Sequence, residues 1–319
     1  MFFLLKACII GLAATCAFPL VIAPLSPTPL LEGLPRELFM VICAAGLYVE
    51  IEKHQGWRRI LFFGLAGFVH FLGLIYWLVI AMTNFGGLPM LQSMILLALL
   101  CLYCALYWAC IPGLSLFLAK HLGLPLVLGF PTAIVFLEWL RTFVITGFPW
   151  GLWGYSQSRN IIFLQLASVV GVYGLSWLIA FFSALCGACV KSKTRKMRLR
   201  CMRYALLCLV CVYGLGALLL LSTEPPAGPA LRVGLIQGNI EQTLKSRSSQ
   251  YRRKIKARYL ELSQAAINAG ANAIIWPEAA WPGHVRAKSQ MLRGYDLEVN
   301  TIMGASTYLK NDVDGTNKL

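Results

Sequence analysis

Runs of about 20 apolar residues recur through the first 222 positions, and a run of that length can cross a hydrocarbon core of roughly 30 Å as a helix. Seven can be drawn, at 3–23, 38–51, 60–81, 90–118, 122–145, 161–190 and 202–222. The second, which can also be started near Leu30, is the weakest, because Glu32, Arg36 and Glu37 cut into its apolar core. It reads as a tilted or half-buried helix. With 58% hydrophobic and 13% charged residues, the 319-residue chain is too apolar for an ordinary soluble domain.

The first run has features of a secretory signal, a lone Lys6 near its start and the small residues Ala13-Ala14-Thr15-Cys16-Ala17. A cleavable signal has a short apolar region followed by soluble chain, whereas more membrane sequence follows here, so the expectation is a retained helix. Thr15-Cys16-Ala17 also lacks the small-residue run that precedes a lipoprotein cysteine.

Short cytoplasmic loops carry an excess of Lys and Arg. Lys6, then Lys53, Arg58 and Arg59, then Lys120, then Lys191, Lys193, Arg195, Lys196, Arg198, Arg200 and Arg203 fall on one side of the alternation. The opposite loops hold little more than Arg36, Arg141 and Arg159. Seven crossings with the amino terminus inside place everything after Leu221 on the outer face, the periplasm of a bacterium. The net charge of +15 does not require a nucleic-acid partner. A quarter of the basic residues lie in the 191–203 loop, where orientation and anionic head groups account for them, and no zinc-finger, helix-turn-helix or aromatic RNA-binding pattern accompanies them.

All eleven cysteines fall in the drawn spans or, for Cys201, at a boundary. Cys101 with Cys104 and Cys186 with Cys189 have the C-x-x-C spacing of metal sites, but without histidine or charge partners in lipid they read as small packing residues. No metal or organic cofactor is implied.

Residues 223–230, Thr223-Glu224-Pro225-Pro226-Ala227-Gly228-Pro229-Ala230, stop a helix and form an extended linker. Leu231–Gln237 then reads as a short buried strand ended by the turn signal Gly238-Asn239. Ile255, Tyr259, Leu262 and Ala266 lie on one face of an amphipathic helix, which Gly270 stops. Ala273–Trp276 reads as a second strand running into Pro277-Glu278, and Thr301–Ala305 as a third, with a short helix between. Strand, helix, strand is the opening of an α/β domain.

Two groups of motifs carry a resemblance. Thr146-Gly147-Phe148-Pro149-Trp150, Gly154-Tyr155-Ser156-Gln157 and Gly171-Val172-Tyr173-Gly174-Leu175-Ser176 resemble the membrane core of bacterial apolipoprotein N-acyltransferases. Val233–Ile240 with Gln242, and Trp276-Pro277-Glu278-Ala279-Ala280, resemble the start of that family's nitrilase-type, or CN hydrolase, domain. The resemblance implies residues 1–222 as a membrane α-helical bundle of about seven helices, 223–230 as linker, and 231–319 as the N-terminal part of an α/β nitrilase-like (αββα sandwich) domain.

It also implies an inner-membrane enzyme, facing the periplasm, that moves a fatty acyl chain from a phospholipid donor to the amino-terminal amine of a diacylglyceryl-cysteine lipoprotein. Membrane lipids are its surroundings. The family's chemistry uses a glutamate base, a lysine at the oxyanion and a cysteine nucleophile that forms a thioester. Glu278 matches the glutamate.

The other two roles find no match. Lys288, Lys310 and Lys318 read as surface lysines, and the last cysteine is Cys211. The expectation is therefore a chain truncated at its C-terminus and inactive by itself, with a mobile tail. At Ser246, after Lys245, the chain departs from a family tryptophan that would shape acyl-chain access.

Glu138 and Arg141 stand three apart on one helical face. They read either as a structural pair fixing the helix end or as part of the lateral cleft receiving the phospholipid. Trp139, Trp150, Trp153 and Tyr155 suit an interfacial aromatic belt or the lining of that cleft. The alternative function is a non-catalytic membrane protein that binds lipid or pairs with a separately encoded C-terminal half. A channel or transporter is weaker, with no duplicated halves in view.

Overall fold

The structure, a computed structural model, describes residues 2–18, 37–222, 228, 230–240, 249–277, 280, 284–286, 300–302 and 306–308. The chain divides into two compact units, residues 1–224 and 225–319.

The first unit is helical. Helices α1 (Phe2–Cys16), α2 (Glu37–Glu50), α3 (Gly56–Ile75), α4 (Leu78–Asn84), α5 (Met90–His121) and α6 (Leu126–Arg141) lead to two 3-10 turns, Val144–Thr146 and Trp153–Gln157. Helices α7 (Ile161–Leu164), α8 (Ala167–Lys191) and α9 (Arg195–Leu221) follow. Four of them, α3, α5, α8 and α9, are long and apolar enough to cross a membrane. Each remaining drawn run also carries helix, but α1, α2 and α6 have 15, 14 and 16 residues, short of the ~20 that span a bilayer unaided. The reasons are local. Helix α1 gives way to a turn at Ala17, the rest of the first run (19–23) and the optional start of the second near Leu30 fall outside the described residues, and α6 stops at Arg141, where its side chain turns to a following loop. Two long runs are also interrupted. The third breaks between Ile75 and Leu78, and the sixth begins as the four-residue α7, with a further break at Gly171 (φ 63°, ψ −175°) inside α8.

Helix α1 belongs to the core of this unit. A Cβ on Gly11 would stand 2.4 Å from the Ala66 carbonyl oxygen, so only glycine permits this approach of α1 to α3. Thr15 Oγ1 lies 3.1 Å from the His70 carbonyl and 3.4 Å from its Nδ1, joining the same two helices. At one end of the bundle the carboxylate of Glu50, only 3% exposed, meets Lys6 of α1, Lys53 at 3.0 Å and His54 at 3.1 Å. Lys191, closing α8, pairs with Glu52 beside it. The basic residues at the starts and ends of three separate helices thus gather at one end, as a charge-sorted membrane bundle requires. Helix α9 is peripheral: 6% of its apolar window is buried.

The second unit contains β1 (Val233–Leu235), α10 (Ser249–Asn268), β2 (Ala273–Ile275), β3 (His284–Arg286), β4 (Asn300–Ile302) and β5 (Ser306–Tyr308). A parallel sheet runs β1-β2-β4, with Gly234 opposite Ile274 and Ile274 opposite Thr301. Strands β3 and β5 form a second parallel pair that the sequence reading did not anticipate. Ile255 and Tyr259 of α10 pack with Ile236, Ile274 and Trp276, and Leu262 and Ala266 flank them on the expected face. Gly270, at φ 89°, ends the helix in the left-handed region that glycine reaches without strain. The third strand covers Asn300–Ile302; residues 303–305 of the expected strand lie outside the described residues.

Candidate functional site

Two places carry the residues singled out from the sequence, one in each unit. In the first unit the three motif blocks converge on the loop between α6 and α8. Arg141, 3% exposed, points from the end of α6 beneath this loop, and its Nη1 donates to the carbonyls of Phe148 at 3.0 Å and Trp150 at 2.7 Å. Its guanidinium also sits 5.0 Å from the Phe71 ring centroid. One turn earlier, Glu138, 6% exposed, accepts the Trp153 N–H through Oε1 at 2.7 Å. The next amide, Gly154 N–H, donates to Ser176 Oγ of α8 at 2.9 Å.

Charges are costly in an apolar bundle unless satisfied; here backbone groups meet the Arg141 guanidinium and Glu138 Oε1, while Glu138 Oε2 is buried without a hydrogen bond. Glu138 and Arg141 form no ion pair with each other. That corrects the expectation of a structural pair: each grips a different part of the loop, and both side chains are turned into the protein.

The loop is tight. A Cβ on Gly147 (φ 78°) would lie 2.1 Å from the Thr142 carbonyl oxygen, and one on Gly154 would lie 2.6 Å from the Val172 carbonyl. Just before it, Ile145 and Thr146 hold φ of 51° and 73°. Such values are costly for β-branched residues and persist only where surroundings over-determine them. Tyr103 from α5 donates to the Val144 carbonyl at 2.8 Å and supplies part of that determination.

The aromatic residues divide. Trp150 (43% exposed), Tyr155 (49%) and Trp139 (46%) face outward, with Trp150 against Trp77 at 5.7 Å. Trp153 does not join them, a correction to the belt reading. It is 1% exposed and packs edge-on to Trp108 at 5.7 Å, because its N–H is tied to Glu138 and the turn carries its ring inward. Sequence reading also missed His70, fully buried and stacked on Trp108 at 5.0 Å, and the roles of Tyr103 and Ser176. A polar ring side chain inside an otherwise apolar run needs a partner, and that signal was available for Tyr103 and His70.

In the second unit, Trp276 follows the central strand β2. Its ring stacks on Tyr259 at 4.8 Å and its Nε1 donates to Ser263 Oγ at 2.9 Å, and Ser263 donates in turn to the Tyr259 carbonyl at 2.8 Å. Trp276 and Pro277 thus leave the C-terminal end of the middle strand of a parallel sheet, the end at which open α/β sheets bind ligands. Glu278 comes next in sequence and lies outside the described residues, as do Ala279, Gln242, Lys245, Ser246, Lys288, Lys310 and Lys318.

A family model described as the apolipoprotein N-acyltransferase N-terminal domain matches residues 10–185, more than half of the chain. A curated apolipoprotein N-acyltransferase of Geobacter metallireducens is 31% identical over 262 residues, covering 77% of this chain and 49% of the relative. That of Shewanella oneidensis is 36% identical over 221 residues (68% and 40%), and that of Coxiella burnetii 30% identical over 293 residues (91% and 57%). The last match covers more residues than the first unit holds, so it runs into the second. The chain spans about half the length of the curated relatives it matches. The matched region contains all three converging motif blocks, and the chain belongs to the apolipoprotein N-acyltransferase family.

Proposed function

We propose that this chain provides the membrane domain and the opening strands of a nitrilase-like catalytic domain of an enzyme that transfers an acyl chain from a phospholipid to the amino-terminal amine of a diacylglyceryl-cysteine lipoprotein. In this reading seven helices cross the bacterial inner membrane with the amino terminus in the cytoplasm, and the chain after Leu221 works on the periplasmic side. The observation that carries the proposal is Trp276-Pro277 leaving the C-terminal end of β2, with Glu278 next in sequence, in a chain whose membrane part matches the family.

A thiolate attacks the phospholipid ester carbonyl, the C–O bond breaks and a lysophospholipid leaves, giving a thioester. The lipoprotein amine then attacks the thioester carbonyl, loses a proton and expels the thiolate. Glu278 takes the thiol proton and passes it to the departing lysophospholipid oxygen in the first half, then takes the amine proton and returns it to the expelled thiolate in the second. A lysine would face the oxyanion. Glu138 and Arg141 are positioning residues that hold the 147–154 loop, whose outward Trp150 and Tyr155 meet the acyl chains of the donor.

The test is a chimera joining residues 1–302 to the corresponding remainder of the Geobacter relative, assayed with a labelled phospholipid and a diacylglyceryl lipopeptide. N-acylation by the chimera, together with a loss of roughly 100-fold or more in Glu278→Gln and no covalent acyl adduct on the 319-residue chain, is the expected result. A folded chimera that is inert beside an active intact relative overturns the reading.

A further inference from the structure

A groove between α6, α8 and α9, with its basic mouth at the opposite end of the bundle from the 147–154 loop, has no role in the chemistry above. It is a cavity of about 550 Å³, floored by Leu185 and the stacked Trp177–Phe181 pair of α8, and walled by Val127 of α6 and Leu207 of α9. Its lining is apolar except near one mouth, where Arg200 and Tyr204 stand. Along α9 it extends from Met197 to Val212, about 22 Å at 1.5 Å per residue. That exceeds one leaflet's share, about 15 Å, of a hydrocarbon core.

Three observations point to what fills it. First, α9 is barely packed, with 6% of its apolar window buried, so the groove is open along its length toward the bilayer. Second, the mouth at Arg200 opens beside the α8–α9 hairpin, where Arg195, Lys196, Arg198, Arg200 and Arg203 form no ion pair with any carboxylate among the described residues. Third, Arg200 lies on the rim of an otherwise apolar groove, which suits a stem against hydrocarbon and a guanidinium at head-group depth. The end of the bundle matters too. Lys191 closes α8 at this mouth and pairs with Glu52, beside the Lys6–Glu50 cluster, so the mouth belongs to the basic end.

We propose that this groove is a binding site for one anionic phospholipid of the leaflet at the basic end. An acyl chain lies along Trp177, Phe181 and Leu185, and the phosphate is held by Arg200 with the neighbouring hairpin cations. Such a lipid fixes α9 to α6 and α8 without being acyl donor, since its head group and ester bonds sit at the other end of the bundle from the motif loop. The site stands on the groove and its charges, independently of the acyl-transfer reading.

The purified chain in detergent, titrated with phosphatidylglycerol or with phosphatidylcholine of the same acyl chains and read by native mass spectrometry, tests this. Phosphatidylglycerol is expected to be retained preferentially as a single tightly held molecule. Arg200→Gln should weaken it roughly fivefold, the size of one interfacial cation, and Leu207→Trp, which adds bulk to an exposed groove wall, should abolish it. Lys193→Gln with Arg195→Gln, outside the groove lining, should cost less than Arg200→Gln. Melting temperature checks that each variant is folded; if Leu207→Trp is not, Arg200→Gln against the double variant decides. Equal retention of the two lipids overturns the proposal. So does full retention by a folded Leu207→Trp, which would leave only head-group attraction to the hairpin surface. A crosslink from Leu207 to a protein segment in place of lipid would do the same.

Discussion

Arg141 shows how a buried charge can build a loop. Its guanidinium reaches the carbonyls of Phe148 and Trp150, seven and nine residues downstream, while Glu138 reaches an amide fifteen downstream. Helical spacing made both residues visible in the sequence, but their partners are backbone atoms placed by two tight glycine turns, and periodicity carries no information about those. Arg141→Met is therefore expected to lower thermal stability in detergent by on the order of 2–3 kcal/mol, the worth of a charged hydrogen bond with its stranded partners. Glu138→Gln, which keeps an acceptor for the Trp153 N–H, should cost clearly less than Glu138→Leu; equal losses would deny that bond its role. In the second unit, Trp276→Phe keeps the stack on Tyr259 and deletes the donor to Ser263, so faster amide exchange in β2, equivalent to about 1 kcal/mol, is expected. Burial holds the Tyr259 phenol above its usual pKa of 10.0, against an opposing hydrogen bond with the Gly238 backbone. A folded-state value above the unfolded one leaves stability intact below about pH 10 and removes it as pH rises toward the folded value. Exchange protection of α10 should accordingly fall only on the alkaline side.

Among the elements, those legible in the sequence are the ones whose residues decide their own state. Long apolar runs gave α5 nearly end to end and the C-terminal ends of α8 and α9, whose starts at Ala167 and Arg195 the runs missed, and the Ile255–Tyr259 face gave α10. Breaks were harder to see. The interruption at Gly171 lies beside Val172, whose carbonyl is so close to Gly154 that a Cβ there would stand 2.6 Å from it, an approach between positions eighteen apart. Strands β3 and β5, three residues each, are too short to show alternation. Gly154→Ala tests the junction: its Cβ would be pressed to 2.6 Å from a carbonyl oxygen. Increased protease cleavage within 146–158, with the rest of the bundle still folded, is the expected outcome, and an unchanged digestion pattern would show that the contact relaxes without cost. Helix α9 starts with Thr194 as its N-cap, bonded to the Met197 amide at 3.3 Å. Thr194→Ala should loosen that first turn by about 1 kcal/mol, seen as faster exchange there.

For the whole molecule, class and family were readable because they rest on hydrophobic length and on motifs that keep their order. The number of crossings was less so, since α1, α2 and α6 are short and their depth depends on neighbours. Orientation gives a prediction at this scale. Replacing the basic residues of 191–203 with Gln should weaken the sorting signal ahead of α9, and a phosphatase fused after Leu221 should then lose periplasmic activity; an unaltered reporter would place the signal elsewhere. The Glu50 cluster has its own bearing on synthesis. Lys6 leaves the ribosome before Glu50, and Lys53 and His54 follow within four residues. The carboxylate therefore has Lys6 and Lys53 in hand as soon as the second helix is made. The pairing of the first two helices through Glu50 can therefore form without waiting for any later part of the chain.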